Sequence, residues 1–402
     1  MRVLIVGGGI GGLTAAIALC RLAGREGGGL DVRLVERSPG PRESGAGISI
    51  WGNAIRALRS LGADGPVVRA GEIIRTAEVR ARRGRLLSRF DVAAADAALG
   101  APSIIIHRAD LLGALLSQVP AGVARAIRFG ARLVGLEQDD RGVTAHFDAG
   151  PPERADVLIG ADGANSAVRR ALWGEGGGEG GNRFVGETCW RTVVDYPTCS
   201  AVPRGYVCEA WGRGVRFGIQ RISPSQVFWW ATRVCAPGFR GGPDYGARAA
   251  LRGLFADWFD PIPALIDRAD PGEILRHDLY DRPPSRRWGR GRVTLVGDAA
   301  HPTTPNLGQS GCMAIEDAVV LARHLASRGG DAEGALRAYE RERYRRTAKI
   351  TVLSHRLGLL GVLTARPLCA LRDALVALTP SRMMLSSHNA IVGFDASAGA
   401  PA

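Results

Sequence analysis

The chain opens on an apolar run, Arg2–Val6, that stops abruptly at "GGGIGG". The segment "LTAAIALCRL" follows, with Leu13, Ile17 and Cys20 on one helical face, and "LDVRLVE" then forms a second apolar run ending at Glu36. Together these predict strand, turn, helix and strand, a β–α–β opening. A helix is predicted over "GNAIRALRSLG", two short strands around the turn "RRG" in "EIIRTAEVRARRGRLLSRF", and a helix over "HRADLLGALLSQV" with Arg108 near its start. A hairpin around "DDRG" and a strand–loop–helix over "ADVLIGADGANSAVRRAL" come next. A glycine-rich run from Gly174 to Asn182 reads as a linker, and beyond it the pattern changes to alternation. "CWRTVVDY", "GVRFGIQRI" and "VFWWATRV" predict an antiparallel sheet region. "RVTLVGD" returns to a buried strand, and helices dominate after Gln309, the first with a core face of Ile315, Val319, Ala322 and Leu325.

The expected architecture is therefore α/β and interrupted. A Rossmann-like dinucleotide-binding domain takes residues 1–75, 100–180 and 285–330. An inserted antiparallel β-sheet domain, which would hold the substrate, takes residues 76–99 and 181–284. A C-terminal helical region takes residues 331–402. No internal repeat is evident.

Composition narrows the function classes. Of 402 residues, 46% are hydrophobic and 23% charged, an ordinary globular balance. The net charge of +13 raises the question of nucleic acid, but Lys349 is the only lysine and the arginines are dispersed. No basic block interleaved with aromatics appears, so no nucleic-acid partner is expected. The excess charge can still draw an anionic cofactor or substrate. The seven cysteines are odd in number and contain no Cys-x-x-Cys pair, which supports neither a disulfide framework nor a zinc site. That usage fits a reducing, cytoplasmic setting, and no metal is expected. The N-terminus reads as a first strand rather than a signal peptide. The longest apolar stretch, "LGLLGVLTARPLCALRDALVAL", is broken by Arg366, Pro367, Arg372 and Asp373, so amphipathic helices are expected there and no integral membrane association.

The chemistry starts at Gly7, Gly9 and Gly12. Their G-x-G-x-x-G spacing directly follows a strand and opens a helix. The first glycine permits a tight turn, the second lets backbone approach a pyrophosphate, and the third lets helix pack on strand. The helix N-terminus offers unpaired N–H groups to phosphate. Glu36, at the end of the second strand, can accept from a ribose hydroxyl. Its spacing from Gly12 is longer than usual, and the "GREGGG" insertion absorbs the excess. This motif does not distinguish FAD from NAD. A second glycine fingerprint is absent.

Two further acid-bearing loops close apolar strands: "VLIGADGANSAVRR" and "VTLVGDAAHPTTPNLGQSGCMAIEDA". With the first glycines, their Asp162-Gly163 and Gly297-Asp298 pairs resemble the class A flavoprotein monooxygenases, the p-hydroxybenzoate hydroxylase-like family. "PNLGQSGCMAIEDA" is most similar to the branch holding zeaxanthin epoxidase and the FAD-dependent urate hydroxylases, with Ser310 and Cys312 as departures. The resemblance covers residues 1 to about 385. It implies a Rossmann-like FAD-binding domain (GR2-type), tightly and non-covalently bound FAD, and NAD(P)H as a transient co-substrate. It also implies a cycle in which reduced flavin meets dioxygen as a C4a-hydroperoxide. That species hydroxylates or epoxidises an aromatic or polyketide-like small molecule.

Residue by residue, the resemblance implies that Asp298 holds the ribityl hydroxyls and that Arg108 reaches the pyrophosphate and ribityl region. Gly311 and the amides of Cys312 and Met313 would face the flavin N1–C2=O edge. Pro302 and Pro305 would shape the loop over the isoalloxazine. His301 would be an acid or base, or a structural histidine beside the ring. Arg37 and Arg42 would lie near the adenine or phosphate edge, and Asp162 would bind cofactor on a loop near both FAD and the nicotinamide nucleotide. Glu316 and Asp317 suit the helix's first turns electrostatically. Arg216, Phe228, Trp229 and Trp230 are candidates for the substrate lining, with Arg191 and Tyr206 weaker. The partners expected are a small-molecule substrate and O2, with the chain a monomer or homodimer. An FAD-dependent reductase of hydrophobic alkenes and a non-catalytic flavin-binding protein remain the alternatives.

Overall fold

The computed structural model describes residues 1–23, 30–41, 46–174, 181–238, 248–327 and 330–398. The "GREGGG" insertion, Arg42 and most of the glycine run after Gly174 lie outside the described residues. Apolar runs that alternate with helices build a parallel five-stranded sheet. Its order is Val293–Leu295, Val157–Gly160, Arg2–Val6, Asp31–Glu36 and Arg128–Phe129. The central strands are buried on both faces, as parallel sheets require, which is why they read as continuous apolar runs. Helices Ile10–Ala18 and Ser310–Ser327 pack together on it, and the latter buries Ile315, Val319, Ala322 and Leu325 in the main core. The hairpin Leu133–Asp139 and Gly142–Phe147 forms as the "DDRG" turn predicts.

A seven-stranded sheet carries the second core. Its order is Leu275–Asp281, Arg183–Asp195, Gln226–Val234, Val215–Arg221, Tyr206–Trp211, Thr76–Ala81 and Leu86–Asp91. One face is covered by helices Arg248–Leu254 and Ile262–Asp267, where Leu251 and Leu265 join Trp190, Phe217 and Trp229 in one cluster. The opposite face turns toward the parallel-sheet domain, and Phe228 packs in the seam with Ala46, Ile74 and Ile105.

This sheet departs from the expected antiparallel plan at one pair. Thr76–Ala81 runs parallel to Tyr206–Trp211. A parallel pair needs a long crossover, and here the intervening chain supplies one by returning through the first domain. Among the described residues, no helix is long and apolar enough to cross a membrane.

Candidate functional site

The three glycines divide their work as the turn demands. Gly7 has φ +113°, and a Cβ there would overlap the Ala161 carbonyl and meet the Asp162 Cα at 2.9 Å. A Cβ on Gly12 would overlap the Gly7 carbonyl oxygen. A Cβ on Gly9 would meet nothing within 4 Å, so the second glycine faces an open cleft. Helix Ile10–Ala18 starts there with no side-chain cap, leaving its first-turn amides to a ligand. Glu36 closes the cleft's far side. Its Oε2 accepts from the Gly8 amide at 2.7 Å and its Oε1 from the Ser38 amide at 2.9 Å. A carboxylate has further lone pairs for a ribose hydroxyl. Exposed Arg37 and half-buried Arg108 line the same cleft.

Asp162 lines it too. Its Oδ2 accepts from the amides of Ala167 (2.6 Å) and Val168 (3.2 Å), capping the helix Ala167–Trp173. Its Oδ1 is buried with no hydrogen-bond partner among the described residues. Burial pushes this carboxyl above its ordinary range, against the bonds from Ser166 and the two amides. A hydroxyl or amide donor from a bound ligand would satisfy it.

The strand Val293–Leu295 delivers Asp298 half-buried in the turn that follows, where Ser310 Oγ donates to its Oδ1 at 2.6 Å. The departure at Ser310 thus meets the acid itself. Helix Ser310–Ser327 opens beside it. The Met313 amide is already committed to the Gln309 carbonyl at 2.8 Å, because the helix begins early enough to make that bond its first. Met313 therefore does not supply a free amide. Gly311 and Cys312 remain as the first-turn donors. The Cys312 side chain is fully buried, and burial pushes its thiol up to about 12. It is packing, not a nucleophile. Pro305 starts the short turn Pro305–Leu307, and Asn306 ties that turn to the Ser354 carbonyl at 2.9 Å.

Glu316 and Asp317 are not solvated first-turn acids. Both are 0% exposed and form a charge cluster with the equally buried Arg343. Asp317 accepts from Arg343 Nε at 2.7 Å and from the Gly297 amide at 2.9 Å, and meets His301 Nε2 at 2.6 Å. Glu316 accepts from Arg343 (2.6 Å), Arg346 (2.7 Å) and Asn53 (2.6 Å). Asn53 also donates to Gln309 at 2.9 Å. Burial alone would raise both carboxyls. The cations overcome it, lowering Glu316 and holding Asp317 at about 2. The cluster fixes the Gly297 turn and the Gln309 end of the loop relative to each other, and so sets Asp298 against the helix N-terminus. His301 is 6% exposed and packed on Trp288, which makes it a brace on Asp317 rather than an acid or base aimed at a substrate.

The inserted sheet corrects several lining assignments. Arg216 is 2% exposed and bonded to Glu187 (2.9 Å), Glu209 (3.1 Å) and Thr232 (3.3 Å), so its charge is answered within the sheet. Phe228 is seam core, pressed against Gly47. Trp229 and Tyr206 belong to the helix-covered face. Trp230 is half-buried on the face toward the first domain. Strand pairing sets Arg191 opposite it, and Arg191 Nε is buried without a hydrogen-bond partner among the described residues. Nearby His277 is lowered by burial first, then by Arg191 and Arg108. Sequence reading missed Arg282, which is 5% exposed with Nε and Nη1 unpartnered among the described residues. Burial depresses it, and Asp298 pulls the other way. "DRPPSRRW" offers three arginines and no local signal for the buried one.

Glycine cradle, unsatisfied Asp162 oxygen, half-buried Asp298 and free helix amides together fit a dinucleotide lying from the first strand to the Pro305 loop. The chain is 40% identical over 381 residues to an aurachin C monooxygenase/isomerase of Stigmatella aurantiaca, covering 95% of each chain. It is 34% identical over 390 residues to a 3-amino-4-hydroxybenzoate 2-monooxygenase of Streptomyces cremeus, covering 93% of this chain and 91% of that one. Klebsiella pneumoniae HpxO, solved with FAD and uric acid, superposes with a TM-score of 0.87 at 29% identity, over 98% of this chain and 96% of that one. The FAD binding domain family model matches residues 1–211 and 280–354, and the chain belongs to that family.

Proposed function

We propose that this protein is an FAD-dependent monooxygenase that uses NAD(P)H and dioxygen to hydroxylate or epoxidise an aromatic or polyketide-like small molecule. The observation that carries the reading is the end-to-end similarity to a monooxygenase at 40% identity, over a chain whose Gly7, Gly9, Glu36, Arg108 and Asp162 line one cleft. Bound FAD would supply the redox chemistry, two-electron transfer from NAD(P)H to dioxygen. One oxygen atom enters the substrate and the other leaves as water.

The chain's residues do the rest. Gly7, Gly9 and Gly12 with the first helix hold the pyrophosphate, and Glu36 the adenosine ribose. Asp298, set by Ser310, holds the ribityl chain. The Gly311 and Cys312 amides would hold the pyrimidine edge, where N–H donors at a helix N-terminus favour negative charge. Pro302 and Pro305 limit the loop over the ring and exclude water. Asp162 and Arg282 stand where a visiting nicotinamide nucleotide would meet the flavin. Trp230 and Arg191 line the substrate side, and Arg191 favours a phenolate or carboxylate. The cofactor is held tightly and without a covalent bond.

The test is anaerobic. Purified protein should retain FAD, NAD(P)H should bleach it, and the right substrate should accelerate the bleaching. Admitting air should then yield a product heavier by one oxygen atom. A chain that retains no flavin, or whose flavin no nicotinamide nucleotide reduces, sinks the reading.

A further inference from the structure

The C-terminal third presents an apolar face that no described residue covers. Among the described residues, ten of the sixteen exposed large hydrophobics fall between Val352 and Leu385. Single exposed leucines are ordinary, but such clustering is not. On the helix Arg366–Ala377 and just past its end, Leu368, Leu371, Leu375 and Leu378 are 48%, 56%, 60% and 78% exposed. Their spacing of three, four and three puts them on one stripe. The other face of that helix buries Cys369 and Arg372 and packs on the strand Leu86–Asp91. The preceding helix, Ala332–Gly361, also exposes Val352, Leu353, Leu359 and Leu360.

Charge decides what this face fits. Arg345, Lys349 and Arg356 share the outward side of the long helix with Val352 and Leu360, at helical spacing. Arg366 and Arg382 flank the leucine stripe, and all five bases are exposed. None has an ion-pair partner among the described residues. Between residues 345 and 394 the only acid is Asp373, already bonded to Arg372 at 2.7 Å. A two-fold contact with a second copy would press these bases against one another with no acid to answer them. Long apolar side chains interleaved with arginines whose stems reach past them are what an anionic lipid surface accepts.

We propose that this face docks the protein peripherally on an anionic lipid bilayer. The inward side of the same helix braces the loop over the site: Ser354 bonds Thr304 at 2.8 Å, and Gly358 lies against Asn306. Docking therefore sets that loop about one helix diameter, ~10 Å, from the headgroups. The proposal does not depend on the oxygenase reading, since it would hold for a chain that binds FAD and catalyses nothing.

The test is co-sedimentation of the FAD-loaded full chain with sucrose-loaded vesicles. One set is phosphatidylcholine alone, and the other an equal mixture with phosphatidylglycerol. Strong binding to the mixed vesicles, weak binding to the neutral ones, and release by salt are expected. The double variant Leu371→Asp, Leu375→Asp should keep its flavin and lose at least about tenfold in partitioning, since each change removes a buried leucine from the lipid contact. Lys349→Glu with Arg356→Glu should remove the preference for phosphatidylglycerol. Four results would overturn the proposal: no sedimentation with mixed vesicles, equal binding to both sets, leucine variants that bind like the parent, or a solution dimer that the leucine variants dissociate.

Discussion

The two sheets build a site in opposite ways. The parallel sheet works from its edge. Gly7, Glu36, Asp162 and Asp298 all stand at or just past the ends of its strands, so backbone topology alone brings them into one cleft. The seven-stranded sheet works from its face, and there position on a strand says little about availability. Arg216 sits on the face toward the first domain yet spends its charge on Glu187 and Glu209. Glu78 lies under Arg80, Arg89 and Tyr206. At a sheet edge an acid tends to be left for a ligand, whereas on a buried face a charge must be answered by the protein itself.

The largest effect should come from filling the edge. Gly12→Val drives a side chain into the Gly7 carbonyl. Overpacking of this kind should cut FAD affinity by up to ~100-fold, read from the flavin absorbance retained after gel filtration. Normal flavin content would break the edge half of the comparison.

Next is the buried cluster that joins edge to helix. Asp317→Asn removes one of the two buried carboxylates that answer Arg343 and should cost about 3 kcal/mol in urea unfolding. It has a pH signature. The folded-state carboxyl lies at about 2, below the unfolded value of about 4. Its stabilisation is therefore complete above the unfolded value and is lost as pH falls toward 2. The stability gap between parent and variant should be constant at neutral pH and close in acid. A gap that instead widens in acid would exclude Asp317 as its source.

Arg216→Met tests the face. Glu187, 2% exposed, would lose its cation, and stability should fall by about 3 kcal/mol while KM for substrate stays within a few-fold. A raised KM with unchanged stability would return Arg216 to the substrate lining. The smallest effect belongs to Trp230→Phe, which trims a half-buried ring. It should move KM by about 3–10-fold, on the order of 1 kcal/mol, without changing flavin content.

Sequence legibility followed the same division. The placing of Gly7, Glu36, Asp162 and Asp298 at strand ends was readable because each follows an apolar run within a few residues, while the roles expected of Asp162 and Asp298 came from the family resemblance. The Asp317–Arg343 pairing was not, because it joins helices whose relative rotation no local pattern records. The Met313 amide was misjudged for a different reason. Whether it is free depends on whether the helix's first bond reaches back to Gln309, a one-residue question at a terminus. Phe228, Trp229 and Trp230 are consecutive aromatics on one strand, and alternation says they diverge without saying which face meets the other domain. Arg282 was hidden among its arginine neighbours.

One atom of dioxygen should end in the product. The direct measurement is turnover under heavy-isotope dioxygen in ordinary water, with NAD(P)H oxidation and product mass followed together. One labelled oxygen per product molecule and one NAD(P)H consumed for each are expected. A product whose added oxygen comes from water, or a product formed with NAD(P)H but gaining no oxygen, would contradict the oxygenase reading.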